Sequence, residues 1–315
     1  MEIKKYESWM RLQVVELFAL EYGVDAKEFD TLFGRFYEEP FQATKCVRIV
    51  AVEGEKVGGF QSFFYWPTQH LGETKYSLQS GNSLVHPDFR GKGLFAKMLE
   101  YINTPEANVH YDFLLGFPVE ASYNSFIRNK WLNPFNLQWY ILPMNPVLAL
   151  LAPAENALRK GFEARKQQDF KPDSSTVCVE QSLGFDTYRF GYQKGEYYRF
   201  HYTSKNGEAF FEMKIQRRKK VIQELVIGKA LFSNTSSSFV GESLLALKKE
   251  VKRNANVSML SIAVNPLVSE LVEALGKAGF RPIKRSIYFI VKGPMIAEEQ
   301  DWSKWWIFRS DIDTW

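Results

Sequence analysis

Arg90, Gly91, Lys92 and Gly93 stand together in "SLVHPDFRGKGLFAKML", the stretch from Ser83 to Leu99. Two cations alternate with two glycines, and a helical pattern begins at Leu94. Glycine has no Cβ, so the chain can bend sharply there and a ligand can come close to its amides. The first turn of a helix adds unpaired N–H donors and the positive end of its dipole. Arg90 and Lys92 add formal charge. This combination suits a phosphate or a diphosphate; the alternative is a strand–turn–helix connection whose glycines only permit the bend. A Walker loop is excluded, because GxxxxGK followed by Ser or Thr is absent. "GKGLFA" fits a loose GxGxxA dinucleotide fingerprint. Against that reading, "HPDFR" separates the apolar strand from the first glycine. Asp112 also precedes the apolar run "FLLGF", where the fingerprint wants an acid after it.

The flanking pattern says what positions this loop. "WMRLQVVELFALEYG" has apolar residues at helical spacing and ends at Gly23, and a second helix runs from about Lys27 to Glu38, so the first 40 residues read as helical. "ATKCVRIVAVEG", "EKVGGFQSFFYWP" and "KYSLQSGNSLVHP" read as strands, with Gly54 a hairpin turn. After the loop, "GLFAKMLEYIN" is a helix, "YDFLLGF" a strand, "EASYNSFIRNK" a helix and "NLQWYILP" a strand. The fold class is α/β (α+β), with helices covering a sheet.

Near Pro143 the pattern changes. "VLALLAPAENALRKGFEARKQQDF" predicts a helix and "KPDSS" a turn. The expected organisation is a first domain over 1–143, a helical linker over 144–175 and a second domain over 176–315. From Thr176 to about Leu231 the chain reads as strand-rich. The segment Leu114 to Leu142 then recurs in organisation at Ser261 to Val291: apolar strand, proline (Pro118, Pro266), helix, aromatic (Trp131, Phe280), proline (Pro134, Pro282) and aromatic-rich strand.

With Val85, Pro87, Arg90, Gly91 and Gly93 in place, the opening stretch resembles the acyl-CoA-binding motif of the GNAT superfamily of N-acyltransferases. That motif is Arg/Gln-x-x-Gly-x-Gly/Ala after a strand ending in V-x-P. Arg90 and Gly93 match it, and Phe95 stands where its last small residue belongs. The order of elements from Met1 to Leu142 resembles the same fold. The second half resembles a degenerate copy, with "FSNTSSSF" (Phe232 to Phe239) in place of the loop and no second CoA expected. The resemblance implies two GNAT-like domains, each a mixed, mostly antiparallel twisted sheet flanked by helices. It implies acetyl-CoA, or another acyl-CoA, as co-substrate without a metal, and transfer to a primary amine of a small molecule, an amino sugar being one candidate. A CoA-binding module without chemistry and an aminoacyl-tRNA-dependent transferase are the alternatives.

Carried over by position, Leu84 and Val85 lie along the pantetheine arm, and the backbone of Arg90, Gly91, Lys92, Gly93, Leu94 and Phe95 holds the diphosphate. An amide near Val85 stabilises the oxyanion. Phe95 must then point away from the loop, onto the sheet. The family commonly places a tyrosine acid on the helix after the second splayed strand. Direct register puts Phe126 there, and Tyr123, one turn earlier on the same face, is the acid candidate. Glu120 is the base candidate, and it equally fits a dipole-favoured helix start. The strand before the loop offers Gln79, Ser80, Asn82 and Ser83 but no carboxylate, and His86 at its end reads also as a surface histidine.

Over the 315 residues, 45% are hydrophobic and 24% charged, with a net charge of +4 that is too weakly basic to suggest nucleic acid. "RRKK" (Arg217 to Lys220) reads as a solvated strand end, the alternative being a patch for an anion or acidic partner. Cys46 and Cys178 support neither a zinc site nor a disulfide framework. No signal-like or membrane-length apolar run occurs, so a cytoplasmic monomer or homodimer off the membrane is expected. The aromatic tail "DWSKWWIFRSDIDTW" reads as a final strand packed on the sheet, or as an acceptor cleft lined by tryptophans with Asp311 and Asp313.

Overall fold

The computed structural model describes residues 1–144, 163–164, 170–191, 197–218, 222–297 and 299–315. The chain opens with strand β1 (Glu2–Lys5), helices α1 (Arg11–Tyr22) and α2 (Ala26–Phe33), and a π-helical turn over Gly34–Glu38. Gly23 ends α1 in the left-handed conformation, φ 63°, and Asp25 starts α2 by accepting the amides of Lys27 and Glu28. Strands β2 (Val47–Glu53) and β3 (Lys56–Tyr65) then form a hairpin across Gly54. A small hairpin, β4 (Thr68–His70) and β5 (Glu73–Lys75), leads to β6 (Ser77–Val85), helix α3 (Leu94–Tyr101), β7 (Phe113–Gly116), α4 (Glu120–Arg128) and β8 (Leu132–Pro143).

The rest of the chain follows the same order. After β9 (Glu163–Ala164) and β10 (Val177–Val179) come α5 (Leu183–Gly191), β11 (Tyr197–Ser204), β12 (Gly207–Arg218) and β13 (Ile222–Phe232). Helix α6 (Ser237–Asn254), β14 (Met259–Val264), α7 (Ser269–Ala278) and β15 (Arg281–Lys292) complete it. The repeat read in the sequence is thus β7–α4–β8 and β14–α7–β15. Each unit begins on a strand parallel to the one before it, β7 to β6 and β14 to β13.

Among the described residues, 12 strands form one sheet in the order β1-β2-β3-β6-β7-β15-β8-β14-β13-β12-β11-β9. Its centre is palindromic because the last strands are exchanged. β15 enters between β7 and β8, antiparallel to both, and β8 pairs with β14. The residues on either side of position 143 therefore share one continuous sheet. On one face, α3 and α4 bury Leu94, Met98, Leu99 and Phe126, and α6 and α7 bury Phe239, Leu244, Leu271 and Leu275. On the other, α1 and α2 bury Val14, Phe18, Phe29 and Phe33 in a cluster that also takes Trp139, Trp305 and Trp315. Each such side chain contributes about 1.5–3 kcal/mol.

Three expectations change. Glu2–Lys5 is a strand paired with β2, not the start of a helical region, because Ile3 reaches the core side of an edge whose lysines stay wet. Within the strand-rich region, α5 is a helix that buries Phe185 and Tyr188 one turn apart. The helix expected over Val147 to Phe170 lies outside the described residues, except for Phe170 and a two-residue strand, Glu163–Ala164.

The tail forms neither a strand nor an open cleft. It makes two short 3-10 turns, Trp302–Lys304 and Arg309–Asp311, and occupies the place where β13 and β14 part. Those strands pair only as far as Ile227↔Ile262. Beyond that point Phe308 bridges Val264, whose other edge is taken by Gln138 of β8. Lys229 meets Asp311 at 2.7 Å with both side chains buried. Trp315 lies on Gly228, where an added Cβ would fall 2.4 Å from the indole. Gly228→Ala should therefore unseat the Trp315 ring and cost about 1–3 kcal/mol by overpacking, measured by denaturant unfolding.

Candidate functional site

β6 and β7 are hydrogen-bonded only from Ser77↔Phe113 to Ser80↔Gly116. β7 then ends, while β6 continues through Gly81, Asn82 and Ser83 to Val85, paired on its other edge with β3. A gap with one free strand edge results. A bulge beside Ser62 resets the alternation of β6 along this stretch. His86 donates its amide to Gly58 across the β3 edge at 2.9 Å. Neighbouring amides of a strand point to opposite edges, so the Val85 N–H faces the gap. That is a donor placed for a developing oxyanion.

The chain leaves β6 through a 3-10 turn, Pro87–Phe89, and enters the glycine loop. Gly91 and Gly93 both have positive φ, 79° and 69°, and nothing lies within 4 Å of where a Cβ would stand on either. Both residues thus require the left-handed region and leave open space in front of the amides that begin α3. The residues present fit a diphosphate: backbone amides around two left-handed glycines, the helix N-terminus and the exposed cation Lys92, which also lies 5.0 Å from the Phe89 ring.

Arg90 does something different from free charge. Its Nε donates to the Val85 carbonyl at 3.2 Å and its Nη2 to Glu21 at the end of α1 at 2.5 Å. The residue straps the loop to the strand end and to the opposite layer. Both partners are substantially exposed, so the pair itself is worth at most about 1 kcal/mol. Glu21→Gln should leave stability within about 0.5 kcal/mol of the parent. It should tighten binding of an anionic ligand at the loop about 2–5-fold at low salt, an effect that fades at 1 M salt where the Debye length is ~3 Å. Titrations at two ionic strengths check it.

Phe95 is half-buried and points onto α4, its ring edge-on to Phe126 at 5.4 Å. Its bulk fills the seam between α3 and α4. Leu84 is buried in the core and Leu94 beneath α3. Tyr123 lies flat on Tyr288 of β15 at 4.1 Å and donates its hydroxyl to Asn133 Oδ1 at 3.1 Å. It is thus turned toward β15 and β8, while Phe126 on the same helix meets α3. Glu120 is exposed in the first turn of α4. His86 accepts the Asp88 amide at 3.3 Å and closes the 3-10 turn.

Tyr37 and Ser62, which the pattern did not single out, lie with Asn82 on the α1–α2 side. The π-helical turn brings the fully buried Tyr37 to Asn82, whose amide donates to the phenol at 2.7 Å, and the phenol reaches Ser62 at 3.2 Å. Burial pushes the Tyr37 hydroxyl far above its ordinary range, so it stays protonated. On the opposite face, toward α3 and α4, Gln61 holds Ser80 and Ser83 together; on the α1–α2 face the fully buried Gln79 carboxamide has no hydrogen-bond partner on either atom. The legible signal was the run "QSGNS" in a strand otherwise apolar; its partners on β3 and the π-turn were not. Among the described residues no cluster of His, Cys, Asp or Glu could hold a metal, and no helix is long and apolar enough to cross a membrane.

By sequence, neither a family model nor a curated protein matches the chain. By structure, it is similar to a GCN5-related N-acetyltransferase from Anabaena variabilis ATCC 29413, with TM-score 0.64 and 8% identity, over 93% of this chain and 72% of that one. The chain has the GCN5-related N-acetyltransferase (GNAT) fold. A GNAT protein from Kribbella flavida is similar over the same shares, 93% and 72%, with TM-score 0.57 and 9% identity. Saccharomyces cerevisiae N-myristoyltransferase with bound myristoyl-CoA is similar over 93% of this chain and 82% of that one, with TM-score 0.50 and 12% identity. In GNAT terms the strands part twice, at β6/β7 and at β13/β14. The first gap is served by a glycine loop, and the second is filled by the chain's own tail.

Proposed function

We propose that the protein is an acyl-CoA-dependent N-acyltransferase whose working site is the β6/β7 gap, with a small primary amine as acceptor. The observation that carries this reading is the coincidence, at one end of β6, of the parted strands, the gap-facing Val85 amide and the glycine pair with positive φ. Acyl-CoA brings an activated thioester. The backbone from Arg90 to Phe95 would hold its diphosphate, and the free edge of β6 from Gly81 to Val85 its pantetheine arm. The Val85 amide would hold the thioester carbonyl and the charge that grows on it.

An alkylamine has a pKa of ~10 and must lose a proton before it attacks. Glu120, exposed at the start of α4, is the group we assign to accept that proton through water. Asn82, held in place by the Tyr37 phenol, would offer its carbonyl oxygen to the acceptor from the α1–α2 side. A second reading has a specific observation behind it: Tyr123 already gives its hydroxyl to Asn133, and Phe126 has none to give. On that reading the site binds CoA and performs no transfer.

Calorimetry with acetyl-CoA, CoA and ADP, followed by thiol release over amino sugars, polyamines and amino acids, separates the readings. Binding with thiol release is the expected result. Binding without release over the whole panel gives the second reading, and no binding by any of the three overturns both.

A further inference from the structure

A cavity of about 790 Å³ opens between the segment that follows the π-helical turn and helix α5. Sites for small molecules commonly enclose about 300–1,000 Å³. The buried Gln42 fixes the segment to the end of β3, its carboxamide accepting the Tyr65 amide and donating to the Tyr65 carbonyl, both at 2.9 Å. Tyr65 pairs with Leu78 near the start of β6. Val85, beside the glycine loop, pairs with Gly59, six residues back along β3, or about 20 Å. The cavity and the loop thus lie at opposite ends of the same strands.

Its walls are held in place by the fold. Phe41 stacks on Tyr188 of α5, ring centroids 5.4 Å apart and planes 18° from parallel. Tyr188 donates its hydroxyl to the Phe36 carbonyl at 3.0 Å. Phe41 also leans on Tyr65 at 5.4 Å and Phe185 at 5.6 Å. A Cβ on Gly184 would stand 3.4 Å from the Phe41 ring, so α5 lies directly against it. The floor is therefore aromatic and rigid.

The charge around that floor is unbalanced. Lys45 is half-buried, and its ammonium lies over Phe41 at 4.8 Å and Tyr65 at 4.5 Å. An ammonium seated on aromatic faces is held in position and keeps N–H donors for an acceptor. Arg35, at the mouth, gives one arm to the Gly191 carbonyl at 3.4 Å. Among the described residues no carboxylate pairs with either cation, and Glu39, the acid of the lining, takes no donor. Two cations against one acid leave the cavity positive.

We propose that this cavity binds a small amphipathic anion, a flat aromatic body carrying one carboxylate. The body would lie against Phe41 and Tyr188, and the carboxylate would meet Lys45 and Arg35. A ligand with several negative groups would also meet Glu39, and a cation would meet Lys45. The site is separate from the glycine loop, and its existence does not depend on the acyl-transfer reading.

The test is calorimetry of the full chain with sodium 2-naphthoate, with 2-naphthamide as the neutral control and 2-naphthylmethylammonium as the cationic one. The parent should bind the carboxylate saturably and at least about tenfold tighter than either control, because only the carboxylate makes charge-assisted hydrogen bonds with the two cations. Arg35→Gln and Lys45→Gln should each weaken it at least about threefold. Thr187→Trp fills the cavity from an exposed position of α5 and should abolish binding. Arg35 and Thr187 are both exposed, so these two variants should melt with the parent and carry the test even if Lys45→Gln unfolds. The loop double variant Arg90→Gln/Lys92→Gln should bind the carboxylate as the parent does. The proposal is overturned if the carboxylate binds no tighter than the amide, if Arg35→Gln and Thr187→Trp both bind like the parent, or if only the loop variant loses binding.

Discussion

Gly93→Val should reduce acetyl-CoA affinity at least about 100-fold, equivalent to ~2.7 kcal/mol, while the protein still folds. Gly93 holds φ 69° and ψ 19° as the residue that starts α3. A side chain in the left-handed region costs about 1–2 kcal/mol, and a β-branched one is the least tolerant of it. The protein itself raises no further objection, because no heavy atom lies within 4 Å of the new Cβ. For a chain of this size that strain lowers the melting temperature by several degrees at most. The ligand meets a different obstacle. On the proposed function its diphosphate takes the amides of the α3 start, and the two methyls would stand in the open space beside them. Relief of strain would turn those amides away, which removes donors as well as room. Gly93→Ala should fall between parent and valine variant. Calorimetry paired with circular dichroism checks both halves, and a valine variant that binds acetyl-CoA like the parent would remove the loop from the site.

The loop was legible because its chemistry is local. Gly91, Gly93 and the helical pattern from Leu94 are contiguous, and the backbone they imply is the backbone found. Gly23 and Gly54 were legible for the same reason, each marking a left-handed turn at the end of an element. Strand β1 was not, because four residues with two lysines carry no period to read. The exchange of β8 and β15 was beyond reach. Period-2 alternation says which face a residue takes and nothing about its neighbour across the sheet, so Phe289 opposite Phe135 is information only the pairing holds.

The site divides along the same line. Register alone set Phe126 at the family position for an acid, and the partners that engage Tyr123 lie on β8 and β15, remote in sequence. Glu21 meets Arg90 across 69 positions, and Tyr37 meets Asn82 across 45, through a π-turn that no spacing announces. One signal was present and unused. In "ELVIGKALF" a glycine and a lysine interrupt an apolar strand that is buried along its length. A lysine in such a run needs a counter-charge, and a glycine there marks close approach of another group. Asp311 and Trp315 supply the two, and both come from the tail.

That pairing sets the larger stability effect. Lys229→Met should cost about 3–5 kcal/mol at neutral pH, because it strands a buried carboxylate rather than merely deleting a contact. Asp311 is fully buried, accepts the Phe308 amide at 2.7 Å, and holds the tail to the first half through its carbonyl, which accepts from Trp66 Nε1 at 2.9 Å. Burial already pushes its carboxyl above the usual range, and Lys229 is the main force pulling it back. Without Lys229 it must rise further. The unfolded chain releases this proton near pH ~4, whereas the folded variant retains it to higher pH. Between those two values the unfolded state binds fewer protons, so the variant loses stability as pH rises. The deficit against the parent should therefore be smallest near pH 4 and should grow toward pH 7.5. Lys229→Met/Asp311→Asn removes the charge and keeps an acceptor for Phe308, so it should recover most of the loss and flatten the pH dependence. Urea unfolding at pH 5 and 7.5 reads all of this. A deficit equal at both values would mean that Asp311 reaches water once Lys229 is gone, and that the tail is looser in the second gap than its contacts show.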